Sequence, residues 1–113
     1  MPPLDRKTLK QRTIVYLEEC FRRESPPRIS ELADQLQMKP WLLSRLAKKL
    51  LGLPLREYLA REQVKRAKRM LRDSQASLNR IAYACAFGTR NTFFRVFHQR
   101  VGMTPDEFRR RKK

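Results

Sequence analysis

The 113-residue chain reads as all-α, with seven helices. Three observations predict this. Apolar residues recur three and four apart along most of the length, and no stretch alternates apolar with polar. Glycine occurs only three times. The chain also repeats itself. Ile29-Ser30-Glu31-Leu32-Ala33, continuing through Arg45 and Gly52 to Glu57-Tyr58, returns as Leu78-Asn79-Arg80-Ile81-Ala82, continuing through Arg95 and Gly102 to Glu107-Phe108. The offset is 49 up to Met38 and Phe87, and 50 from Trp41 and Asn91 onward. The second copy therefore carries one extra residue in the turn between its helices. A doubled module suits a repetitive ligand.

The elements follow in order. Segment 5–24 is predicted helical, with Ile14, Leu17 and Phe21 inward at i, i+3, i+7, and Ser25-Pro26-Pro27 ends it. Segment 30–36 is a short helix with Leu32, Ala33 and Leu36 inward. Gln37-Met38-Lys39 is a tight connection, and Pro40 suits the first turn of the next helix. That helix, 40–51, carries Leu43, Leu46, Ala47 and Leu50 on one stripe, and Gly52 stops it. Segment 55–72 is the longest helix. Its apolar residues are Leu55, Tyr58, Leu59, Ala67, Met70 and Leu71, with dense Lys/Arg elsewhere. Asp73-Ser74-Gln75-Ala76-Ser77 breaks it and offers Ser77 as N-cap for helix 78–85. Helix 89–101 turns Phe93, Val96, Phe97 and Val101 inward and ends at Gly102. Thr104-Pro105-Asp106-Glu107 combines a capping box with proline at the first helical position and starts a last short helix. Arg109-Arg110-Arg111-Lys112-Lys113 reads as a solvated charge run, either a frayed end or a phosphate-binding tail. The organisation expected is 1–28, an N-terminal helix and proline linker; 29–54, a first helix-turn-helix; 55–72, a linker helix; and 73–113, a second helix-turn-helix with a C-terminal helix.

Composition narrows function. Lys and Arg number 27 against 11 Asp and Glu, a formal net charge of +16. That imbalance favours polyanions, with nucleic acid first and an anionic membrane surface second. No apolar run is long enough to span a bilayer, and the N-terminus lacks a signal-peptide core, so the chain is expected in the cytoplasm. Cys20 and Cys85 fall among apolar residues at helical spacing and read as reduced core thiols. With His98 the only histidine, no tetrahedral metal site is expected, and no cofactor. Paired carboxylates, a Ser/His/Asp set and a phosphate-cradling glycine loop are all missing from the sequence, which argues against an enzyme.

With the leucine stripe of helix 40–51 on the core, the opposite face shows Trp41, Ser44, Arg45 and Lys48. The same operation on helix 89–101 exposes Asn91, Phe94, Arg95 and His98, with Arg90 beside them. These are repeat equivalents. A short helix, a tight turn and a second helix with one greasy and one basic face form a helix-turn-helix unit. Arginine can pair with guanine O6 and N7, asparagine with adenine, and apolar groups with thymine methyls. Trp41 and Phe94 have no structural use in this arrangement; packing of Trp41 on helix 5–24 is the alternative. Lys39, Lys48, Lys49, Thr89 and His98 suit phosphates.

From about Ile29 to Arg111 the chain resembles the DNA-binding domain of AraC/XylS-type bacterial transcription regulators. The matching strings are Leu43-Ser44-Arg45-Leu46, Lys48-Lys49, Gly52, Glu57-Tyr58-Leu59 and Ala67-Lys68-Arg69-Met70-Leu71-Arg72-Asp73. In the second half they are Ile81-Ala82, Phe87, Phe93-Phe94-Arg95-Val96-Phe97, Gly102-Met103-Thr104-Pro105 and Phe108-Arg109. The resemblance implies two helix-turn-helix subdomains joined by one long helix, and base contact at Trp41, Ser44, Arg45, Arg90, Asn91 and Arg95. The chain departs from the family pattern at Gln37 and Ala86, which replace a turn glycine in each copy. It departs also at Ala47 for phenylalanine, Gln63 for arginine, and Phe94 for a small polar residue.

The function expected is sequence-specific binding of double-stranded DNA for transcription regulation, with helices 40–51 and 89–101 in successive major-groove segments. The alternative is a sequence-tolerant architectural DNA binder. RNA polymerase is a further candidate partner and a membrane is not. The chain is expected to act as a monomer or as the output domain of a larger regulator.

Overall fold

The structure is a computed structural model and describes residues 4–111. Among them are seven α-helices and no strand: α1 (Arg6–Arg23), α2 (Ile29–Gln35), α3 (Pro40–Leu51), α4 (Leu55–Asp73), α5 (Leu78–Ala84), α6 (Arg90–Val101) and α7 (Pro105–Arg111). Lys112 and Lys113, the end of the predicted charge run, lie outside the described residues.

Two apolar cores form on the two halves of α4. The first gathers α1, α2, α3 and the start of α4 around Leu9, Tyr16, Leu17, Leu32, Leu43, Ala47, Leu55 and Leu59. The second gathers the rest of α4 with α5, α6 and α7 around Val64, Ala67, Leu71, Ile81, Phe93, Phe97 and Phe108. Each short helix pair buries one stripe only, so neither would be stable without α4 behind it. At 19 residues α4 runs about 28 Å, long enough to serve both cores. The molecule is accordingly elongated, 47 × 26 × 22 Å.

The ends of the helices show where the reading of the sequence needs correction. Helix α1 stops at Arg23, before the prolines. Glu24 takes the left-handed conformation (φ 56°), and the N–H of Ser25 reaches back to the carbonyl of Cys20 at 3.0 Å. This is a Schellman closure made without glycine. The inward stripe of α1 is Leu9, Thr13, Tyr16, Leu17 and Cys20. Ile14, predicted inward, is exposed, as is Val15. A 100° turn per residue places Ile14 on the flank of that stripe, whose neighbours include α3 and α5. Leu46 and Leu50 on α3 are half-buried, and Leu43, Ala47 and Leu51 make its innermost contacts.

The turns inside the two helix pairs repeat one geometry. Gln37 and Ala86 both adopt positive φ, 57° and 62°. The N–H groups of Met38 and Phe87 donate to the carbonyls of Ala33 and Ala82, each at 3.0 Å. Both turns thus form without the glycine that the family pattern supplies. The extra residue of the second copy is Gly88, also left-handed at φ 85°. Gly52 and Gly102 close α3 and α6 at φ 80° and 86°.

The predicted caps on α5 and α7 form. Ser77 Oγ accepts from the N–H of Arg80 at 3.0 Å. Thr104 and Glu107 exchange reciprocal bonds at 2.9 and 3.1 Å. Arg109 does not belong to a solvated run. Its guanidinium donates to the carbonyls of Leu71, Ala76 and Ser74 at 3.1, 2.7 and 3.2 Å, at and beyond the C-terminus of α4. A helix end leaves carbonyls unpaired and carries partial negative charge, and a planar cation satisfies both.

Candidate nucleic-acid interface

The outer face of α3 carries Trp41, Ser44, Arg45 and Lys48, all exposed, with Lys49 beside them and Lys39 at the N-cap. Trp41 is 64% exposed, so it does not pack on α1. The inner face of α3 is Leu43, Ala47 and Leu51, and the outer face is held outward by their burial. Opposite faces of one helix are thereby assigned to core and solvent.

Helix α6 repeats the arrangement on firmer backing. Phe93 and Phe97 are fully buried within an aromatic chain: Phe87 to Phe93 at 5.1 Å, Phe93 to Phe97 at 5.8 Å and Phe97 to Phe108 at 5.5 Å between ring centroids. Outward lie Arg90, Asn91, Arg95 and His98, all exposed. Thr89 caps the helix and accepts from the N–H of Thr92 at 3.0 Å. Phe94 departs from the expectation of full exposure. It is half-buried, edge-on to Phe93 at 5.7 Å, and the guanidinium of Arg90 lies 4.8 Å above its ring. Arg90 also donates to Asn79 Oδ1 at 3.1 Å. A ring face and an amide thus hold the Arg90 side chain in one orientation. Phe94 is partly a support for Arg90, a use that helical periodicity alone does not reveal.

Charge is distributed with a bias. Helices α3 and α6 each hold three Lys or Arg and no Asp or Glu. The acids of the described ion pairs are Glu19, Glu24, Glu62 and Asp106, on or beside α1, α4 and α7. Among the described residues, Arg45, Lys48, Lys49 and Arg95 have no carboxylate partner. Both outer faces are therefore positive and free to take up an anion.

The sequence reading missed Arg56. It lies in the first turn of α4, exposed, and borders two shallow depressions with Glu57. One depression includes Ser44 and Lys48 of α3, and the other includes Thr92 and Arg95 of α6. Arg56 thus lies between the two basic faces. In sequence it is one of many basic residues on the linker helix, and no local signal separates it from them.

Both cysteines are buried and unpaired. Burial raises the Cys20 thiol above its usual range and pushes the Cys85 thiol up to about 11. Neither is available as a thiolate near neutral pH. No group of three or more His, Cys, Asp or Glu able to hold a metal occurs among the described residues. No helix among them is long and apolar enough to cross a membrane.

Residues 32–111 match the model of a helix-turn-helix domain family. The HTH-type transcriptional activator RhaS of Shigella boydii serotype 18 is 33% identical over 96 residues, which cover 85% of this chain and 34% of that protein. The chain thus spans about a third of that relative's length. Among solved structures, the C-terminal domain of the two-component response regulator yesN from Fusobacterium nucleatum superposes with a TM-score of 0.80. It is 25% identical, with 89% of this chain and 97% of that one covered. The DNA-binding domain of AdpA, solved in complex with a target DNA, superposes with a TM-score of 0.77 at 20% identity, over 88% and 90% of the two chains, and shares the fold.

Proposed function

The chain belongs to the AraC-type family of helix-turn-helix transcription regulators, and from that premise we propose that it binds double-stranded DNA sequence-specifically by inserting α3 and α6 into successive major-groove segments on one face of the duplex. The observation that carries the reading is the pair of acid-free basic helix faces at repeat-equivalent positions, each backed by a packed core. Charge alone would suit any polyanion. Charge placed on two helices that project from rigid cores suits the major groove, which admits a helix.

In this reading Trp41, Ser44 and Arg45 meet base edges from α3, and Arg90, Asn91 and Arg95 from α6. Phe94 offers its free edge to a thymine methyl and steadies Arg90. Lys39, Lys48, Lys49, Thr89 and His98 hold phosphates, and Arg56 joins them from between the two helices. Phosphate contacts set register, and base contacts set sequence. Because the two faces differ, one chain reads an asymmetric site as a monomer. The chain works in the bacterial cytoplasm, alone or as the output domain of a longer regulator, with RNA polymerase as a second partner.

Selection of bound duplexes from a random pool tests this. Two unlike elements about 10 base pairs apart should emerge. Insertion of about 5 base pairs between them turns one to the far side and should abolish tight binding. Arg45→Ala and Arg95→Ala should each cost about 1–3 kcal/mol on the selected site and relax preference in their own element. Equal weakening on selected and scrambled duplexes would show that these residues grip phosphate only, and the architectural reading would replace this one.

A further inference from the structure

The turn of the second helix pair is where the two halves of the molecule meet. Ala86 belongs by sequence to the second unit, yet it is fully buried in the core of the first. Two residues on, a Cβ added to Gly88 would lie 2.8 Å from Cγ of Pro26. That is closer than real carbon contacts, so the proline ring rests directly on the Gly88 backbone. Glu24, at the end of α1, forms an ion pair with Arg80 of α5. Phe21 of α1 lies 4.6 Å beneath the guanidinium of Arg66, whose Nε donates to the carbonyl of Ala84 at 3.2 Å. Gln63 is buried on α4 at the junction of the two cores, and its amide donates to the carbonyls of Cys85 and Ala86 at 3.1 and 3.0 Å.

These contacts reach residues 80–88 from α1, from the proline linker and from α4. In the first unit Arg12 of α1 donates to the equivalent carbonyl, that of Gln35, at 3.2 Å, but Gln37 and Lys39, where Ala86 and its neighbours are covered, are exposed. Gly88 has no counterpart in the first copy, and it is the residue under Pro26. A turn serving only to connect two helices would need neither the buried methyl of Ala86 nor the inserted glycine. Helix α6 begins at Arg90, two residues past Gly88. A shift at Gly88 therefore moves the whole of α6.

We propose that this seat, formed by Glu24 and Pro26 on one side and Arg80, Ala86 and Gly88 on the other, is a positioning device that fixes the angle of α6 to α3 and so limits which spacing of two DNA elements the chain accepts. The proposal rests on the two-helix reading of DNA given above. Glu24, Pro26, Arg80 and Gly88 act through α6 and need touch no base. A single exposed ion pair is weak, so Pro26 carries more of the constraint than the Glu24–Arg80 pair.

Two measurements on the full chain separate this proposal from that reading. Spin labels on Lys49→Cys and Gln99→Cys report the distance from α3 to α6 in the free protein, since both native thiols are buried and escape labelling. The parent should give one narrow distance. Pro26→Gly and Glu24→Arg should broaden it, and the exchanged pair Glu24→Arg with Arg80→Glu should narrow it again. The second measurement is affinity for the selected duplex divided by affinity for the same duplex with one base pair added or removed between the elements. One base pair shifts an element by about 3.4 Å and roughly 35°. Loss of the seat should lower that ratio about tenfold. Arg109→Ala, which weakens the molecule away from the seat, should leave both the distance and the ratio as in the parent. An unchanged distance distribution in folded Pro26→Gly overturns the proposal. So does a broadened distribution with an undiminished spacing ratio. If the parent itself binds every spacing equally, the two-helix reading fails and the spacing role falls with it, while the distance measurement still decides whether the seat holds α6.

Discussion

Replacing the left-handed residue in each turn by glycine should stabilise one turn and not the other. Gln37 and Ala86 share φ near 60° and the same pair of backbone hydrogen bonds. An L-residue in that region is disfavoured by about 1–2 kcal/mol, which glycine relieves. Glycine gives back about 0.4–1 kcal/mol through the larger entropy of its unfolded chain. The net gain expected for Gln37→Gly is therefore roughly 0.5–1 kcal/mol, because Gln37 is exposed and loses no packing. Ala86→Gly gains the same backbone relief but removes a methyl that is completely buried in the first core. Losing a buried methyl costs about 0.8 kcal/mol in transfer, with more for the cavity left behind. The two effects cancel, or the loss wins. The two variants should thus differ by about 1 kcal/mol or somewhat more, a shift of several degrees in midpoint for a chain of this size. Urea unfolding followed by helical circular dichroism, with equal m-values required, measures both. If Ala86→Gly stabilises as much as Gln37→Gly, the Ala86 methyl is not packed and does not help to seat α6. If Gln37→Gly destabilises, the left-handed turn itself is wrong.

Three further outcomes follow from single side chains. Arg109→Ala should cost roughly 2–3 kcal/mol, since charged hydrogen bonds to carbonyls at the end of α4 are lost, while Arg110→Ala, which breaks only an exposed pair with Asp106, should cost under about 1 kcal/mol. Equal costs in urea unfolding would return Arg109 to the surface. Thr13→Val should stabilise the protein by about 1 kcal/mol, because the Thr13 hydroxyl is buried with no hydrogen-bond partner and valine keeps the shape; a loss of stability would mean that the hydroxyl is satisfied. Glu107 should contribute to the acid limb of stability. Its carboxylate accepts the Thr104 N–H, which lowers its pKa below the usual 4.5. A depressed folded-state value means that the contribution is present above the unfolded value and disappears as pH falls through the folded one. Glu107→Gln should therefore flatten stability against pH below about 4.5 and leave the neutral limb's slope unchanged; an unaltered acid limb would refute the capping role.

Much of the fold was legible because it is encoded locally. The glycines after α3 and α6, Ser77 before α5 and the Thr104–Glu107 box state their conformations in the residues themselves, through positive φ or a hydroxyl at an N-cap. The stripes on α3 and α6 carry enough periodicity to assign an inner and an outer face, and the outer residues named from sequence are exposed apart from Phe94. Helix α1 was less legible. Several apolar residues compete for its inner face, and periodicity alone chose Ile14, whereas its partners select Leu9, Tyr16 and Cys20.

What the sequence determined by itself was the number of helices, the doubled helix-turn-helix pattern and the basic face of each second helix. All three follow from spacing, capping chemistry and charge, which act over a few residues. What only the tertiary structure decided was which long side chains are committed and how the two units face one another. Arg109 closes α4 from 38 residues away, Arg90 lies on Phe94, Gln63 ties α4 to the second turn, and Ala86 fills the other unit's core. A flexible arginine has the same local propensity whether solvated or clamped, and an alanine the same whether it fills its own core or its neighbour's. The difference is made by carbonyls and cavities that distant segments bring together, and no local pattern carries that information.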